Sequence, residues 1–178
     1  MSEVRLAIPS DIVEIVAICQ QNLLRNKDQS QLSKTGFLIG ELTIEALEEE
    51  IKNSQDSIIL VCEKDKKIIG YLVAQIITKV EIDFHQKVKE LLGEIPDKKI
   101  LYYKQIAKKI GEKNVGSKLL TELYRIAPEK GYSHLVCKII HQPFFNQNSI
   151  DFHQQNGFNL IGFCDVDDKL AGIYLKNL

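Results

Sequence analysis

Two polar segments in the second half of the chain contain residue types that could bind an anion and move a proton. The first spans residues 108–116 and reads Lys-Lys-Ile-Gly-Glu-Lys-Asn-Val-Gly, between an apolar stretch and a helical pattern. Backbone N–H groups at a helix start are unpaired and lie at the positive end of the helix dipole, and glycine lets a ligand approach them. The segment therefore predicts a pyrophosphate site, with an ordinary strand-to-helix connection as the alternative.

Several side chains of this loop suit the same ligand. Asn114 tolerates left-handed backbone dihedral angles, and Lys108, Lys109 and Lys113 add positive charge. The loop lacks the Gly-Lys-Ser/Thr of a Walker A motif and the GxGxxG of a dinucleotide-binding fold. The residues predicted to contact the ligand here are Lys108, Gly111, Glu112, Lys113, Asn114, Val115, Gly116 and Ser117.

The second segment, residues 146–158, reads Asn-Gln-Asn-Ser-Ile-Asp-Phe-His-Gln-Gln-Asn-Gly-Phe and predicts a short helix. Its histidine, His153, could donate a proton near neutral pH. The alternative for His153 is a partly buried helix residue bonded to a backbone carbonyl. Gly157 predicts a left-handed helix stop, and Phe152 and Phe158 are predicted to lie in the core.

Apolar periodicity predicts the elements that position these two segments. Predicted strands span residues 4–7, 57–63, 67–78, 100–108, 134–140, 159–165 and 170–175. A first predicted helix begins at residue 12, and others span 43–53, 115–130 and 149–156. Residues 79–99 are read as an insertion with a short helix. The order β-α-α-β-β-(insert)-β-α-β-α-β-β predicts one α/β domain over residues 1–178 with a mixed sheet.

Two details concern the first two helices. Asp11 and Glu14 have the spacing of a capping box, which predicts that Asp11 caps the first helix. The Glu-rich face of the second helix, residues 43–53, is predicted to face solvent.

The two polar segments, in this order and followed by two short strands, resemble the halves of the acyl-CoA site in the GCN5-related N-acetyltransferase (GNAT) family. That family has a loop of the form Arg/Gln-x-x-Gly-x-Gly/Ala. Gly111, Asn114 and Gly116 hold its three signature positions here, so the first two depart from the pattern. Residues 114–120 are similar to the family's Gly-Ile-Gly-x-x-Leu-Leu, and residues 146–158 match its Asn-to-Gly-Phe segment without a gap.

The resemblance implies a GNAT-like, mostly antiparallel mixed sheet with helices on both faces, and acetyl-CoA as the acyl donor. It implies that Asn146 and the backbone of Ile106 contact the pantetheine arm, and that His153 is a general acid toward the leaving thiolate. A backbone N–H near Gln105 or Ile106 would polarise the thioester carbonyl. The implied reaction is direct attack by a primary amine of a small molecule or protein.

The general base and the acceptor are not identified by the sequence. Candidate bases near the predicted site are Glu81, Asp83, Tyr103, Gln105 and His141. The resemblance puts the acceptor pocket at residues 22–40, which include the uncharged Gln29, Gln31 and Ser33, and at residues 165–171. The Asp-rich stretch 165–168 could attract a cationic amine, although a solvated hairpin tip is the preferred interpretation.

Two other functions remain open at this point. One is a non-catalytic acyl-CoA-binding or regulatory domain with the same fold, which the two departures in the loop favour. The other is an interaction module built around residues 79–99, supported by the apolar Phe84, Val88 and Leu91.

The amino-acid composition argues against several other classes of protein. With 23 Lys and Arg against 24 Asp and Glu, the chain lacks the basic excess typical of nucleic-acid-binding proteins. No apolar run approaches the length of a membrane span and no secretory leader is recognisable, so we expect a cytoplasmic protein. The four cysteines form no CxxC pair, which predicts reduced core thiols and no metal site. A homodimer is common in the family that the chain resembles.

Overall fold

The computed structural model describes residues 2–28, 32 and 35–178. Its strands are β1 (Glu3–Leu6), β2 (Ser57–Lys64), β3 (Lys67–Ile76), β4 (Ile100–Lys108), β5 (His134–Gln142), β6 (Asn159–Val166) and β7 (Lys169–Asn177). Its α-helices are α1 (Ile12–Asn22), α2 (Ile44–Lys52), α3 (Ile82–Leu92), α4 (Val115–Glu129) and α5 (Gln147–Gln155). Short 3-10 turns lie at Pro9–Asp11, Leu24–Asn26, Ile77–Lys79 and Asp97–Lys99.

The described strands form one seven-stranded mixed sheet in the order β1-β2-β3-β4-β5-β7-β6. Neighbouring strands are antiparallel except β4 and β5, which are parallel. The predicted order of elements and the mostly antiparallel sheet are confirmed. Helix α3 lies within residues 79–99; its status as an insertion stays a prediction.

The parallel strands β4 and β5 pair with each other over only three positions. Ile100 pairs with His134 and Tyr102 with Val136, and the ladder ends there although both strands continue for six more residues. Beyond Tyr102 the two strands are not hydrogen-bonded to each other. The register of β4 against β3 also slips, because Val73 lies opposite Gln105 and the next residue, Ala74, lies opposite Tyr103. Lys104 is therefore the extra residue of a β-bulge, which bends β4 at the point where it leaves β5.

Both faces of the sheet are covered by helices, as the resemblance implied. Alternate residues of β2 point to opposite sides. Ile58 and Leu60 lie in one core with Leu119 and Leu123 of α4, whereas Ile59 and Val61 lie in another with residues of α1 and α2. On the side of α1 and α2, helix α3 packs Phe84 and Val88 against Ile100, Tyr102 and Val136.

The prediction that Asp11 caps α1 is wrong, because its side chain makes no cap hydrogen bond to that helix. The carboxylate instead accepts the Ile8 N–H at 2.9 Å and two hydrogen bonds from Arg5, at 2.7 and 3.0 Å. Glu14 is also occupied elsewhere, since it accepts the backbone N–H of Ile68 at 3.2 Å. A tertiary ion pair therefore takes the place of the local cap.

The four cysteines are free thiols, three of them buried. No helix among the described residues is long and apolar enough to cross a membrane. The same part of the chain contains no group of three His, Cys, Asp or Glu side chains that could hold a metal ion.

Candidate functional site

A cleft of about 1160 Å³ opens where β4 and β5 separate. Nine residues that the sequence predicts for the site line this cleft: Ile106, Lys108, Gly111, Asn114, Val115, Gly116, Ser117, Asn146 and His153. Two predicted contact residues do not line it. Glu112 has its carboxylate 3.5 Å from the Lys64 ammonium, and Lys113 is exposed to solvent. The predicted loop and the predicted helix, about 30 residues apart in sequence, thus meet at one cleft.

The N-terminus of α4 supplies unpaired donors to the cleft. Asn114 precedes the helix with a left-handed φ of 59°, as predicted, and its side chain makes no cap hydrogen bond. The backbone N–H groups of Val115, Gly116 and Ser117 come before the first intrahelical bond, which Lys118 donates to the Asn114 carbonyl at 3.3 Å. These three N–H groups lie at the positive end of the α4 dipole, where an anion is stabilised.

Glycine at position 116 keeps α4 and α5 in close contact. A Cβ atom on Gly116 would lie 2.9 Å from Cζ of Phe152. Phe152, predicted as core, is partly buried and both packs against the core and lines the cleft. The side chain that glycine lacks would therefore push α5 away from the loop.

The lysines of the loop differ in what they contact. Lys108 lines the cleft, and its ammonium donates to the Glu112 carbonyl. Lys109 ion-pairs with Glu14 at 3.2 Å, so its charge is used on the α1 side. Sequence reasoning did not assign Lys27 to this end of the cleft, yet Lys27 lines it. Burial lowers the pKa of Lys27, and the positive charge of Lys108 lowers it further.

Asn146 joins α5 to the chain segment that follows α1. Its Nδ2 donates to the Phe37 carbonyl at 3.0 Å. Its Oδ1 is buried and accepts no hydrogen bond from any described residue. The residue is 4% exposed and lines the cleft, so its oxygen is a buried acceptor in the cleft wall.

His153 is a neutral imidazole held in one orientation. Its side chain is 4% exposed, and its Nδ1 lies 2.6 Å from the Ser149 carbonyl, to which it must donate. Burial lowers the pKa of His153 to about 4, although the bond to Ser149 opposes the shift. With the proton on Nδ1, Nε2 is an acceptor. The predicted bond to a backbone carbonyl is present, and the role as general acid stays a prediction.

Four of the five candidate bases are unsuited by state or position. Burial raises the pKa of Tyr103 well above its ordinary value, so the phenol keeps its proton. The Gln105 amide accepts from the Tyr71 hydroxyl at 2.6 Å and donates to the Gly40 carbonyl at 2.7 Å, so it links β3 and β4 to the segment before α2 and has no free basic atom. His141 and Asp83 do not line the cleft. Glu81 does line it, with its carboxylate 3.1 Å from the Lys138 ammonium.

The predicted acceptor regions both reach the cleft where the structure describes them. Residues 35–40 and Val166, Asp167 and Lys169 are among its walls. Gln29, Gln31 and Ser33 lie outside the described residues. The Asp-rich stretch is the solvated hairpin tip that the sequence predicts, since Asp167 and Asp168 form the exposed turn between β6 and β7, and Asp167 also lines the cleft.

Sequence reasoning missed Glu50 and Lys104, which form an ion pair of 3.1 Å across the cleft wall. The prediction that the Glu-rich face of α2 is solvent-exposed is wrong for Glu50, because its side chain is 14% exposed. The signal that could have found Glu50 is its spacing, since it lies three residues after the buried Leu47 and therefore on the same helix face.

Buried polar atoms without partners are concentrated in this cleft. Among the described residues, five side-chain oxygens or nitrogens are buried without a hydrogen bond, and three belong to cleft residues: Glu50 Oε2, the Tyr103 hydroxyl and Asn146 Oδ1. Native proteins rarely leave such atoms unpaired, because burial without a partner costs about 1–3 kcal/mol. A polar ligand or water in the cleft would supply partners to such atoms.

Solved structures with the same fold cover nearly the whole chain. An N-acetyltransferase from Staphylococcus aureus Mu50 superposes with a TM-score of 0.68 at 20% identity, over 99% of this chain and 98% of its own. The PaiA N-acetyltransferase from Thermoplasma acidophilum, in complex with coenzyme A, gives 0.67 at 19% identity, over 100% and 99%. YncA from Salmonella typhimurium, with its cofactor acetyl-CoA, gives 0.66 at 17% identity, over 99% and 94%.

No curated protein sequence matches this chain significantly. A family model does: the acetyltransferase (GNAT) family model matches residues 30–158, which include β2 to β5, the α4 loop and α5. These residues are most of the chain and contain both predicted segments of the site. The chain therefore belongs to the acetyltransferase (GNAT) family.

Proposed function

We propose that this protein is an acetyl-CoA-dependent N-acetyltransferase that moves an acetyl group to a primary amine of a small molecule or protein. The observation that carries the proposal is the gap between β4 and β5. The parallel ladder ends at Tyr102, and the unpaired N–H groups of α4 lie at one end of the gap. An acyl-CoA needs both features, since its diphosphate requires N–H donors and its pantetheine arm carries amide groups that can pair with strand backbone.

The residues that would hold acetyl-CoA are those that line the gap. The N–H groups of Val115, Gly116 and Ser117 would bind the diphosphate, with Lys108 and Lys27 as nearby cations. Asn146 Oδ1 would accept from an amide N–H of the arm, and the unpaired edge of β4 around Ile106 would pair with its backbone-like groups. Bound in this way, acetyl-CoA supplies an activated acetyl thioester to the amine.

His153 would move a proton within the site. When the amine nitrogen bonds to the acetyl carbon, it must lose a proton, and the departing sulfur must gain one. Nε2 of the neutral imidazole can accept the first proton, and the imidazolium can then donate it to the thiolate. A pKa of about 4 makes that imidazolium a strong acid, which favours the second transfer.

The same lowered pKa is the specific observation that favours the second candidate function, a non-catalytic acyl-CoA-binding or regulatory domain. A histidine that is almost wholly neutral before the amine arrives cannot itself protonate the thiolate at neutral pH. In this candidate the cleft would bind the ligand without turnover.

Turnover distinguishes the two candidates. Purified protein would be incubated with acetyl-CoA and primary amines of several classes, and both free thiol and N-acetylated product would be measured. We expect product with wild type, and a loss of about 100-fold or more in kcat for His153→Ala, because proton transfer of this kind contributes at least that much. His141→Gln, outside the cleft, is the matched control. Acetyl-CoA binding without any acetylated amine would support the non-catalytic domain.

A further inference from the structure

One segment of the chain crosses the gap between β4 and β5. Residues 36–40, the strap, lie between α1 and α2 in sequence, and all five line the cleft. Near one end, Phe37 is buried in an apolar cluster with Ile140 of β5. At the other end, the Gly40 carbonyl accepts a hydrogen bond of 2.7 Å from the side chain of Gln105 on β4. The strap therefore contacts both of the strands that separate.

The two anchor points lie where β4 and β5 no longer pair. The parallel ladder ends at Tyr102 and Val136, and Gln105 and Ile140 lie three and four residues further along their strands. Ile140 faces the same side of the sheet as Val136, the side of α3, because alternate residues of a strand share a face. His153 packs on the other side, against aromatic rings of the core under α4. The strap and the helix that carries His153 therefore cover the gap from opposite faces.

The Gln105 amide can hold the strap in only one orientation. Burial raises the pKa of the Tyr71 hydroxyl, so this group keeps its proton and donates it to Oε1 of Gln105 at 2.6 Å. The Cys19 thiol of α1 is a second, weaker donor to the same oxygen, at 3.6 Å. The amide nitrogen must therefore face the strap, where it donates to the Gly40 carbonyl.

The rest of the strap is held independently of β4. The Leu38 N–H donates to the Asn22 carbonyl at 2.9 Å, and the Leu38 carbonyl accepts the Leu24 N–H at 2.8 Å. Asn146 donates to the strap from the start of α5, at 3.0 Å. Loss of the Gln105 amide would therefore release the β4 end of the strap and leave these other bonds in place.

We propose that Gln105 is a positioning residue that holds the strap over the thioester of bound acetyl-CoA and so keeps water away from it. The proposal rests on the acetyltransferase function proposed above and adds a control over which nucleophile reaches the acetyl group. Water admitted to the gap would attack the acetyl carbon and give a proton to Nε2 of His153. The carbon–sulfur bond would break, the sulfur would take that proton, and acetate and CoA would leave. A site closed to water suppresses such side reactions.

Hydrolysis of acetyl-CoA in the absence of any amine tests the proposal. Thiol release would be measured with protein in excess over acetyl-CoA, for wild type, Gln105→Met and Gln75→Met. We expect wild type to release thiol no faster than free acetyl-CoA does, and Gln105→Met to release it several-fold faster, a gain that partial unfolding would not produce. Gln75 is the matched control, because it is also buried, and its amide donates to the Lys79 carbonyl and not to the strap. Its variant should match wild type.

Hydrogen exchange tests the strap itself, without the cofactor. The Leu38 amide, followed by NMR, should exchange about fivefold faster in Gln105→Met than in wild type, as expected when one hydrogen bond is lost. Tyr71→Phe removes only the hydroxyl that orients the Gln105 amide, so it should shift the exchange rate and the hydrolysis rate in the same directions by less. If Gln105→Met does not fold, this milder variant decides the question.

Each remaining outcome would overturn the proposal. Equal Leu38 exchange in wild type and Gln105→Met would show that Gln105 does not hold the strap. Faster exchange without faster thiol release would show that the strap does not exclude water. Calorimetry with acetyl-CoA on the same samples separates this proposal from the proposed function: binding by wild type with unchanged hydrolysis in Gln105→Met overturns the role of the strap alone, whereas no binding by wild type overturns both.

Discussion

The two ends of the cleft are built in different ways. At the α4 end, the ligand-facing groups are mostly backbone N–H groups and buried side chains fixed by short contacts, such as Asn146 to Phe37 and His153 to Ser149. At the Glu50 end, they are charged side chains from α2, β4, β5 and the segment before α3, joined in ion pairs and partly open to solvent. The groups at the first end therefore also stabilise the fold, whereas the exposed side chains at the second end can be replaced with little loss of stability.

This difference indicates which end can change without unfolding the protein. Backbone N–H groups are present whatever the side chains are, so the α4 end can lose two signature residues of its loop and still present donors. An ion pair with an exposed carboxylate, such as Glu81–Lys138, contributes little stability, so exposed residues at the Glu50 end can be exchanged to suit another acceptor. We therefore expect substitutions of the buried side chains at the α4 end, Asn146 and His153, to alter both stability and ligand binding, and substitutions of exposed residues at the Glu50 end to leave stability nearly unchanged.

The largest effect should come from the pH dependence of stability at His153. Its pKa is about 4 in the folded protein against an ordinary 6.5, so the unfolded chain binds the extra proton between these values. Above pH 6.5 the imidazole is neutral in both states and the free energy of unfolding keeps its full value. As pH falls from 6.5 toward 4, protonation of the unfolded chain lowers that free energy, by about 3 kcal/mol in total, the free energy of this pKa difference. Urea unfolding from pH 7.5 to 4 should show this loss in wild type and not in His153→Gln.

A histidine outside the cleft serves as the control for that experiment. Burial also lowers the pKa of His134, but its side chain is partly exposed, so His134→Gln should keep most of the wild-type pH slope. If His153→Gln and wild type lost stability in parallel, the imidazole would not be held neutral, and the α4 end would be less closely tied to folding than we argue.

The next effect in size concerns Asn146. Replacing it by alanine leaves the buried Phe37 carbonyl without its donor, which should lower the free energy of unfolding by about 1–3 kcal/mol. Acetyl-CoA affinity should fall in the same variant. Gln147→Ala, the exposed neighbour at the start of α5, should change neither quantity measurably. If Asn146→Ala were as stable as wild type in urea unfolding, the hydrogen bond from Asn146 to Phe37 would not stabilise the fold.

The smallest effect is expected at Glu81. Its side chain is 74% exposed, so its ion pair with Lys138 is screened by water. Glu81→Gln should change the free energy of unfolding by less than about 1 kcal/mol, and acetyl-CoA affinity should be unchanged. Thermal unfolding and calorimetry on one preparation would measure both. A marked loss of stability would contradict the contrast between the two ends.

The sequence predicts the α4 end better than the Glu50 end for a physical reason. Asn114 and Gly157 take their roles from local backbone geometry, a positive φ in both cases, which residue type and spacing indicate directly. The pair Glu50–Lys104 joins residues 54 positions apart, and the Gln105–Gly40 bond joins residues 65 apart, so neither follows from local spacing. For the same reason, the sequence predicts the order of strands and helices but not the bulge at Lys104, which depends on how β3 and β4 pair.

Calorimetric titration of acetyl-CoA into wild type, Ser117→Glu and Ser117→Gln tests the central claim most directly. Ser117 is exposed in the first turn of α4, where an acidic residue favours the helix and so should not unfold the protein. We predict binding to wild type, affinity within about twofold for the glutamine variant, and at least about tenfold weaker binding for the glutamate variant, or about 1.4 kcal/mol, because its carboxylate repels the diphosphate. Equal affinities for all three proteins, or no binding by wild type at millimolar concentration, would contradict the account.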